Sequence, residues 1–216
     1  MRFAREGYLP AAVPAVTGLL LAPFFGWAFF ALTLVVAALV LAFFRDPERT
    51  LAGDPQAIVS PADGRVLAVE RKEGGHRLAR APMQRISIFM SPLDVHINRA
   101  PVAGVVRDIH YAPGQFRAAY ADDASDVNES SALLVEDEAG AKFVVIQIAG
   151  WLARRIVCRA RVGDRYARGE RFGLIMFGSR VDLYVPIDVS VCVQPGDRVS
   201  AGSSVVARQG GTIGVN

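Results

Sequence analysis

Lysine is almost missing: of 24 basic residues only Lys72 and Lys142 carry an ε-amine, and the remainder are arginine. Lysine-based chemistry therefore has two candidates at most. A pyridoxal phosphate enzyme needs a Schiff-base lysine beside a phosphate cradle. Lys72 stands in the polar stretch ERKEGG and Lys142 follows Ala-Gly-Ala, with no glycine-rich anion loop near either. A swinging-arm carrier needs a lysine at an exposed hairpin tip, and neither lysine is in such a turn. Cysteine is equally scarce. Cys158 and Cys192 lie far apart, without a C-x-x-C or metal-ligand spacing. Their apolar, strand-like surroundings predict two buried thiols of a cytosolic protein and no metal site.

Charge is absent from Gly7 to Phe44, although the whole chain carries 24 basic and 21 acidic residues, net +3. The run ends at Phe43-Phe44-Arg45 without a small-residue cleavage site, and it exceeds the apolar core of a signal peptide. A spanning helix takes about 20 residues, so the run suits two short helices broken near Pro23 to Trp27. No polar face interrupts it, which disfavours a hairpin buried in a soluble core. Arg2 and Arg5 before it and Arg45 and Arg49 after it place both flanks on the cytoplasmic side. The expected organisation is a membrane-associated helical hairpin over 1–44, a polar linker over 45–57 and a catalytic domain over 58–216.

Past the linker, short β-branched runs alternate with Gly, Pro and Asp: Arg65–Glu70, Arg85–Met90, Val102–Ile109, Lys142–Ile148, Ile156–Val162, Val181–Pro186, Ser190–Val193 and Ser204–Arg208. This spacing predicts a mainly β domain. The acidic stretch Asp122–Glu138 reads as a loop followed by a strand. An internal echo refines the architecture, with Gly-Asp at 163/164 and 196/197 and Gly at 169 and 202, a repeat of 33 residues. Gly accepts positive φ and Asp bonds the backbone two residues on, so each copy predicts a tight turn. The pattern resembles the turns of lipoyl and biotinyl carrier domains and implies a barrel-sandwich hybrid.

Chemistry concentrates in three segments: Ser60-Pro-Ala-Asp63-Gly64, Met90-Ser-Pro-Leu-Asp94-Val-His96-Ile-Asn98-Arg99-Ala-Pro101, and Phe177-Gly178-Ser179-Arg180. The first also reads as a plain turn before a strand. His96, like His76 and His110, also reads as a structural histidine. Ser179 is not a hydrolase elbow, because Val181 stands where G-x-S-x-G needs its second glycine. A Gly-Ser step at a strained strand junction has another reactivity. The hydroxyl can attack its own preceding carbonyl, and elimination and hydrolysis then leave a pyruvoyl group.

SPADG, MSPLDVHINRAP, the Asn128-Glu129 pair, the GDR-x-x-x-G-E-R-x-G-x-I-x-F-GSR block and the FFRDPER ending of the apolar run together resemble the short bacterial form of the phosphatidylserine decarboxylase family. The resemblance implies cleavage between Gly178 and Ser179. The products would be a membrane-bound β chain, 1–178, and an α chain, 179–216, forming a heterodimer; any higher oligomer is left open. It implies a covalent pyruvoyl cofactor from Ser179, whose carbonyl condenses with the serine amine of the lipid, and catalytic roles for Asp63 and His96. The longer relatives carry a second histidine where this chain has Arg99. Arginine is no general base, so Arg99, with Asn98, is expected to bind an anionic substrate group.

The implied place is the cytoplasmic face of the bacterial inner membrane. Arg154, Arg155, Arg159, Arg161, Arg165, Arg168 and Arg171 suit an anionic membrane surface, each close charge contributing about 1 kcal/mol there. Without interleaved aromatics they do not suggest nucleic acid. A non-catalytic membrane-anchored carrier and a pyruvoyl decarboxylase of a soluble amino acid are the alternatives. The first lacks its lysine, and the second gives no reason for the apolar run.

Overall fold

The computed structural model describes residues 2–51, 53–121, 124–151, 155–176 and 178–210; Asp122, Arg154 and Phe177 of the stretches above lie outside them. The chain divides into two compact units, Met1–Glu48 and Arg49–Asn216.

In the first unit, two-residue strands β1 (Arg2–Phe3) and β2 (Arg45–Asp46) pair antiparallel and bracket helices α1 (Tyr8–Phe25) and α2 (Trp27–Phe43). The break falls at Gly26, whose φ of +81° few L side chains adopt and whose N–H bonds the Ala22 carbonyl. A Cβ on Gly18 would lie 1.8 Å from Thr33 Oγ1, so the bare α-carbon is what lets α1 approach α2. The outward faces stay apolar, with Leu9, Leu20, Phe24, Trp27 and Leu39 all more than half exposed. The segment Arg5–Phe25 is long and apolar enough to cross a membrane, while Trp27–Phe43 is shorter.

The second unit is mainly β. Its strands are β3 (Ala57–Val59), β4 (Gly64–Lys72), β5 (Met83–Met90), β6 (Ile97–Arg99), β7 (Gly104–Ala112), β8 (Ser130–Glu136), β9 (Lys142–Ile148) and β10 (Ile156–Cys158). β11 (Arg165–Tyr166), β12 (Arg171–Ile175), β13 (Ser179–Pro186), β14 (Ser190–Val191), β15 (Arg198–Val199) and β16 (Val205–Arg208) complete it. The acidic stretch opens with one helical turn, α3 (Ala124–Val127), before β8. A curled antiparallel sheet runs β11-β7-β8-β9-β13-β5-β4-β15, flanked by β10-β12-β6 and β14-β16-β3. Val66, Ile88, Val106, Leu133, Phe143, Val145, Val181 and Leu183 fill the core inside it, all at most 1% exposed. This is the expected barrel-sandwich hybrid.

The strand order reads alike from both ends, and the hydrogen bonds repeat with it. Gly196 N–H bonds the Val66 carbonyl and Gly163 N–H the Val106 carbonyl, both at 2.8 Å. Gly202 N–H bonds the Ser60 carbonyl and Gly169 N–H the Ala100 carbonyl, again both at 2.8 Å. The echoed turns are therefore equivalent places in two similar halves, in which segment 60–66 corresponds to 100–106. β4 and β7 each carry a bulge just after the matching valine, Val66 or Val106. Val66, Ile88 and Val181 stand side by side in one half as Val106, Val135 and Phe143 do in the other, and the same offset carries Gly178-Ser179 onto Gly140-Ala141. Both glycines have positive φ, +63° and +81°.

One expectation is corrected. Cys158 is only half-buried and Cys192 is exposed. Val191 and Val193 pack against the core, so alternation turns Cys192 between them outward.

Candidate active site

Alternation along β13 turns Ser179, Val181, Leu183 and Val185 inward, and all four are fully buried. Ser179 pairs with Met90 at the end of β5, and its hydroxyl donates to Met90 Sδ at 3.5 Å. Asn98 Nδ2, from β6, reaches the same sulfur at 3.8 Å. Gln147 Nε2, from β9, donates to Asn98 Oδ1 at 2.8 Å. Ser179, Met90, Asn98 and Gln147 thus form a polar strip inside the barrel, each 0% exposed. A thioether is a weak acceptor, so little holds the serine hydroxyl in that rotamer. Gln147 Oε1 has no hydrogen-bond partner among the described residues.

The residue before this serine is equally particular. Gly178 sits at φ +63°, and a Cβ there would meet nothing within 4 Å. Its carbonyl oxygen packs against Gly150, where an added Cβ would stand 1.7 Å away. The scissile carbonyl expected from the sequence is therefore lodged against a bare α-carbon. Gly150 carried no signal in the sequence, because its role is to have no side chain at a contact between distant segments.

Asp63 lies in the turn between β3 and β4. Its carboxylate accepts from Ala201 N–H at 2.8 Å and from Arg49 Nη2 at 2.6 Å. Burial pushes the Asp63 carboxyl above its ordinary value; the Ala201 N–H and Arg49 oppose that, and nearby Asp94 adds to it. Arg49, expected only as a positive flank of the hairpin, is thus the ion-pair partner of a candidate catalytic carboxylate. His96 is 2% exposed, and its Nδ1 lies 2.9 Å from the Asp94 carbonyl oxygen. A carbonyl only accepts, so Nδ1 bears a proton, and Nε2 is the nitrogen that carries the lone pair whenever the ring is neutral. The backbone ties these turns together: Arg99 N–H bonds the Pro61 carbonyl at 3.0 Å and Ile175 N–H the His96 carbonyl at 3.3 Å.

The remaining expected residues fall in different places. Asn98 stands beside the serine. Arg99 is 5% exposed, and its Nη1 donates to the Gly169 carbonyl at 3.0 Å. Asn128 links the Arg117 and Ala149 carbonyls, each at 2.9 Å, just before Gly150. Arg168 donates to the carbonyls of Asp54, Pro55 and Ala57, so its guanidinium serves the chain rather than the open surface.

On the opposite face of β13 is a buried ionic network that the sequence did not announce. Arg180 Nε donates to Asp182 Oδ1 at 2.7 Å and its Nη2 to Ser87 Oγ at 2.7 Å. Asp182 also accepts from Ser125 Oγ of α3 at 2.7 Å and faces Arg85 Nη1 at 3.7 Å, and Arg85 in turn pairs with Glu70. The strand that begins at Ser179 is thereby clamped across β5 and the α3 loop.

A barrel-sandwich domain with a Gly-Ser step buried at a strand start, preceded in the chain by an apolar helix pair, defines an enzyme class, the proenzyme decarboxylases. The family model described as Phosphatidylserine decarboxylase matches residues 36–207, and the chain belongs to that family. A phosphatidylserine decarboxylase proenzyme of Symbiobacterium thermophilum is 47% identical over 210 residues, 95% of this chain and 94% of that protein. One from Erythrobacter litoralis is 48% identical over 218 residues, covering 95% of this chain and 86% of its own length. One from Nocardia farcinica is 48% identical over 176 residues, 81% of this chain and 74% of that protein.

Proposed function

We propose that the chain cuts itself between Gly178 and Ser179 and then decarboxylates phosphatidylserine to phosphatidylethanolamine and CO2. The observation that carries this is the Gly178-Ser179 step, a fully buried hydroxyl next to a glycine at φ +63°, in a family named for that reaction. Ser179 Oγ adds to the Gly178 carbonyl carbon, the bond to the Ser179 nitrogen breaks as that nitrogen takes a proton, and an ester forms. Loss of the Ser179 Cα proton expels the Gly178 carboxylate by Cβ–Oγ cleavage. Water then replaces the nitrogen, released as ammonia, and residues 179–216 begin with a pyruvoyl group.

His96, with its proton held on Nδ1 by the Asp94 carbonyl, is the base that takes the hydroxyl proton on Nε2. Asp63 acts on that base from the neighbouring turn through its charge and not through a bond, since Arg49 and the Ala201 N–H take its carboxylate. The site suits a pyruvoyl group, which needs neither a lysine nor a phosphate cradle: the open space around Gly178 leaves room for the new chain end. When present, the group is the electron sink for the pair left by the departing carboxylate. Asn98 is placed to orient the lipid headgroup beside residue 179. Arg99 supports the Gly169 turn.

The two pieces would stay interleaved as an αβ heterodimer, because β13 lies between β9 and β5 and β16 pairs with β3. The apolar hairpin holds the enzyme at the membrane, with exposed arginines such as Arg155, Arg159, Arg161 and Arg165 toward anionic lipid. Intact mass under denaturing conditions tests the reading. Wild type should give pieces 1–178 and 179–216, the second resisting Edman sequencing, and Ser179→Ala should stay whole. A single uncut mass in a fully active wild type sinks it.

A further inference from the structure

The second unit carries two clefts at corresponding ends of its halves. One, about 710 Å3, lies between the β4–β5 loop and Gly140. The other, about 490 Å3, lies between the β7–β8 loop and Gly178. Only the smaller one ends at a glycine followed by a serine, since Ala141 follows Gly140. Its walls are Phe89, Pro92, Ala118, Ala119, Tyr120 and Trp151, with no charged side chain among the described residues. Phe89 and Tyr120 pack edge to face at 5.9 Å and 81°, which makes this a formed wall. The charged groups of neighbouring β13 are committed elsewhere, Arg180 and Asp182 to each other and to Ser87 and Ser125.

The mouth is more apolar than water tolerates without a reason. Tyr120 is 66% exposed, Trp151 68%, and Leu93, next to Pro92, 84%. An exposed aromatic and aliphatic rim around a cleft with apolar described walls marks a site for an apolar ligand. The substrate of this family has a polar headgroup that must reach residue 179 and hydrocarbon that must lie elsewhere. The cleft ends at Gly178, the residue bonded to Ser179. We propose that it takes the acyl chains of the lipid substrate, which enter past Leu93, Tyr120 and Trp151. This rests on the decarboxylase reading.

The test uses the full chain in detergent micelles, with dioleoyl- and dihexanoyl-phosphatidylserine compared. Trp151→Ser and Leu93→Ser should lower the ratio of kcat/KM for the long-chain over the short-chain lipid about tenfold each, mainly through KM. An unchanged ratio overturns the proposal. A second arm leaves the cleft intact. Trp27→Phe leaves Trp151 as the one tryptophan, and its fluorescence is followed with acyl-brominated lipid diluted into vesicles. Stronger quenching by brominated phosphatidylserine than by brominated phosphatidylcholine supports an acyl site for the substrate. Equal quenching means the rim meets bulk lipid only and overturns it, as does none. Absence of decarboxylation with every lipid would instead remove the functional reading, and the quenching arm is independent of turnover.

Discussion

The Gly178 carbonyl oxygen rests so close to Gly150 that a Cβ on Gly150 would stand 1.7 Å from it. Gly150→Ala must displace the peptide that the proposed self-cleavage attacks. Misplacement by about 1 Å costs on the order of 100-fold in rate, so uncut chain should persist in a mass time course while the far-UV spectrum stays β. Cleavage at the wild-type rate would show that the Gly178 peptide can shift freely and that Gly150 matters for packing alone.

Asp63 makes a pH prediction with a definite sign. Its folded carboxyl titrates above the ordinary 3.8, with burial as the main cause. The folded state therefore holds this proton at pH values where the unfolded chain has lost it. The contribution to stability is present below about 3.8 and is lost as pH rises through the folded value. Thermal unfolding of wild type and Asp63→Asn, compared between pH 4 and 7, should show wild type losing ground to the variant as pH rises. A difference moving the other way would mean that Arg49 and Ala201 outweigh desolvation. The same variant should slow self-cleavage by about 100-fold or more.

The Arg180–Asp182 pair is the clamp on β13, with side chains 3% and 0% exposed. Asp182→Ala leaves Arg180 and Arg85 without their shared carboxylate inside the fold. Removing one partner of a buried pair costs about 3–5 kcal/mol. Urea titration should show that loss, and Arg180→Met with Asp182→Leu should recover much of it. Equal stability of Asp182→Ala and wild type would mean that water already reaches the pair.

The exposed apolar faces of α1 and α2 predict attachment that salt does not reverse. The full chain should sediment with membranes and stay there at about 1 M salt, where the screening length falls to about 3 Å. Quantitative release by salt alone would assign the attachment to arginines instead.

Much of this arrangement was legible in local spacing. The break at Gly26 was readable because Pro23 and the following Gly-Trp step interrupt a run with no other feature. The long strands β4, β5, β9 and β13 were readable because each contains a β-branched run set off by Gly, Pro or Asp. The short strands β3, β6, β11 and β15 were not. Two or three residues carry no period, and they become strands only because a neighbour supplies the hydrogen bonds. Gln147 was hidden for a related reason, since it sits in a mainly apolar strand and acquires its partner, Asn98, from another one, and Asp182 likewise meets Ser125 and Arg85 only through the fold.

By itself the sequence determined the apolar helix pair, the mainly β class and the Gly178-Ser179 step, since each depends on residues adjacent in the chain. Only the tertiary structure decided how the carboxylate of one of two similar turns is held. Ser60-Pro-Ala-Asp63-Gly64 and Ala100-Pro-Val-Ala103-Gly104 occupy matching places, and both read as turns. Arg49 and Ala201, separated from Asp63 in the chain, fold onto it and make a buried carboxylate tolerable. No local pattern encodes that meeting.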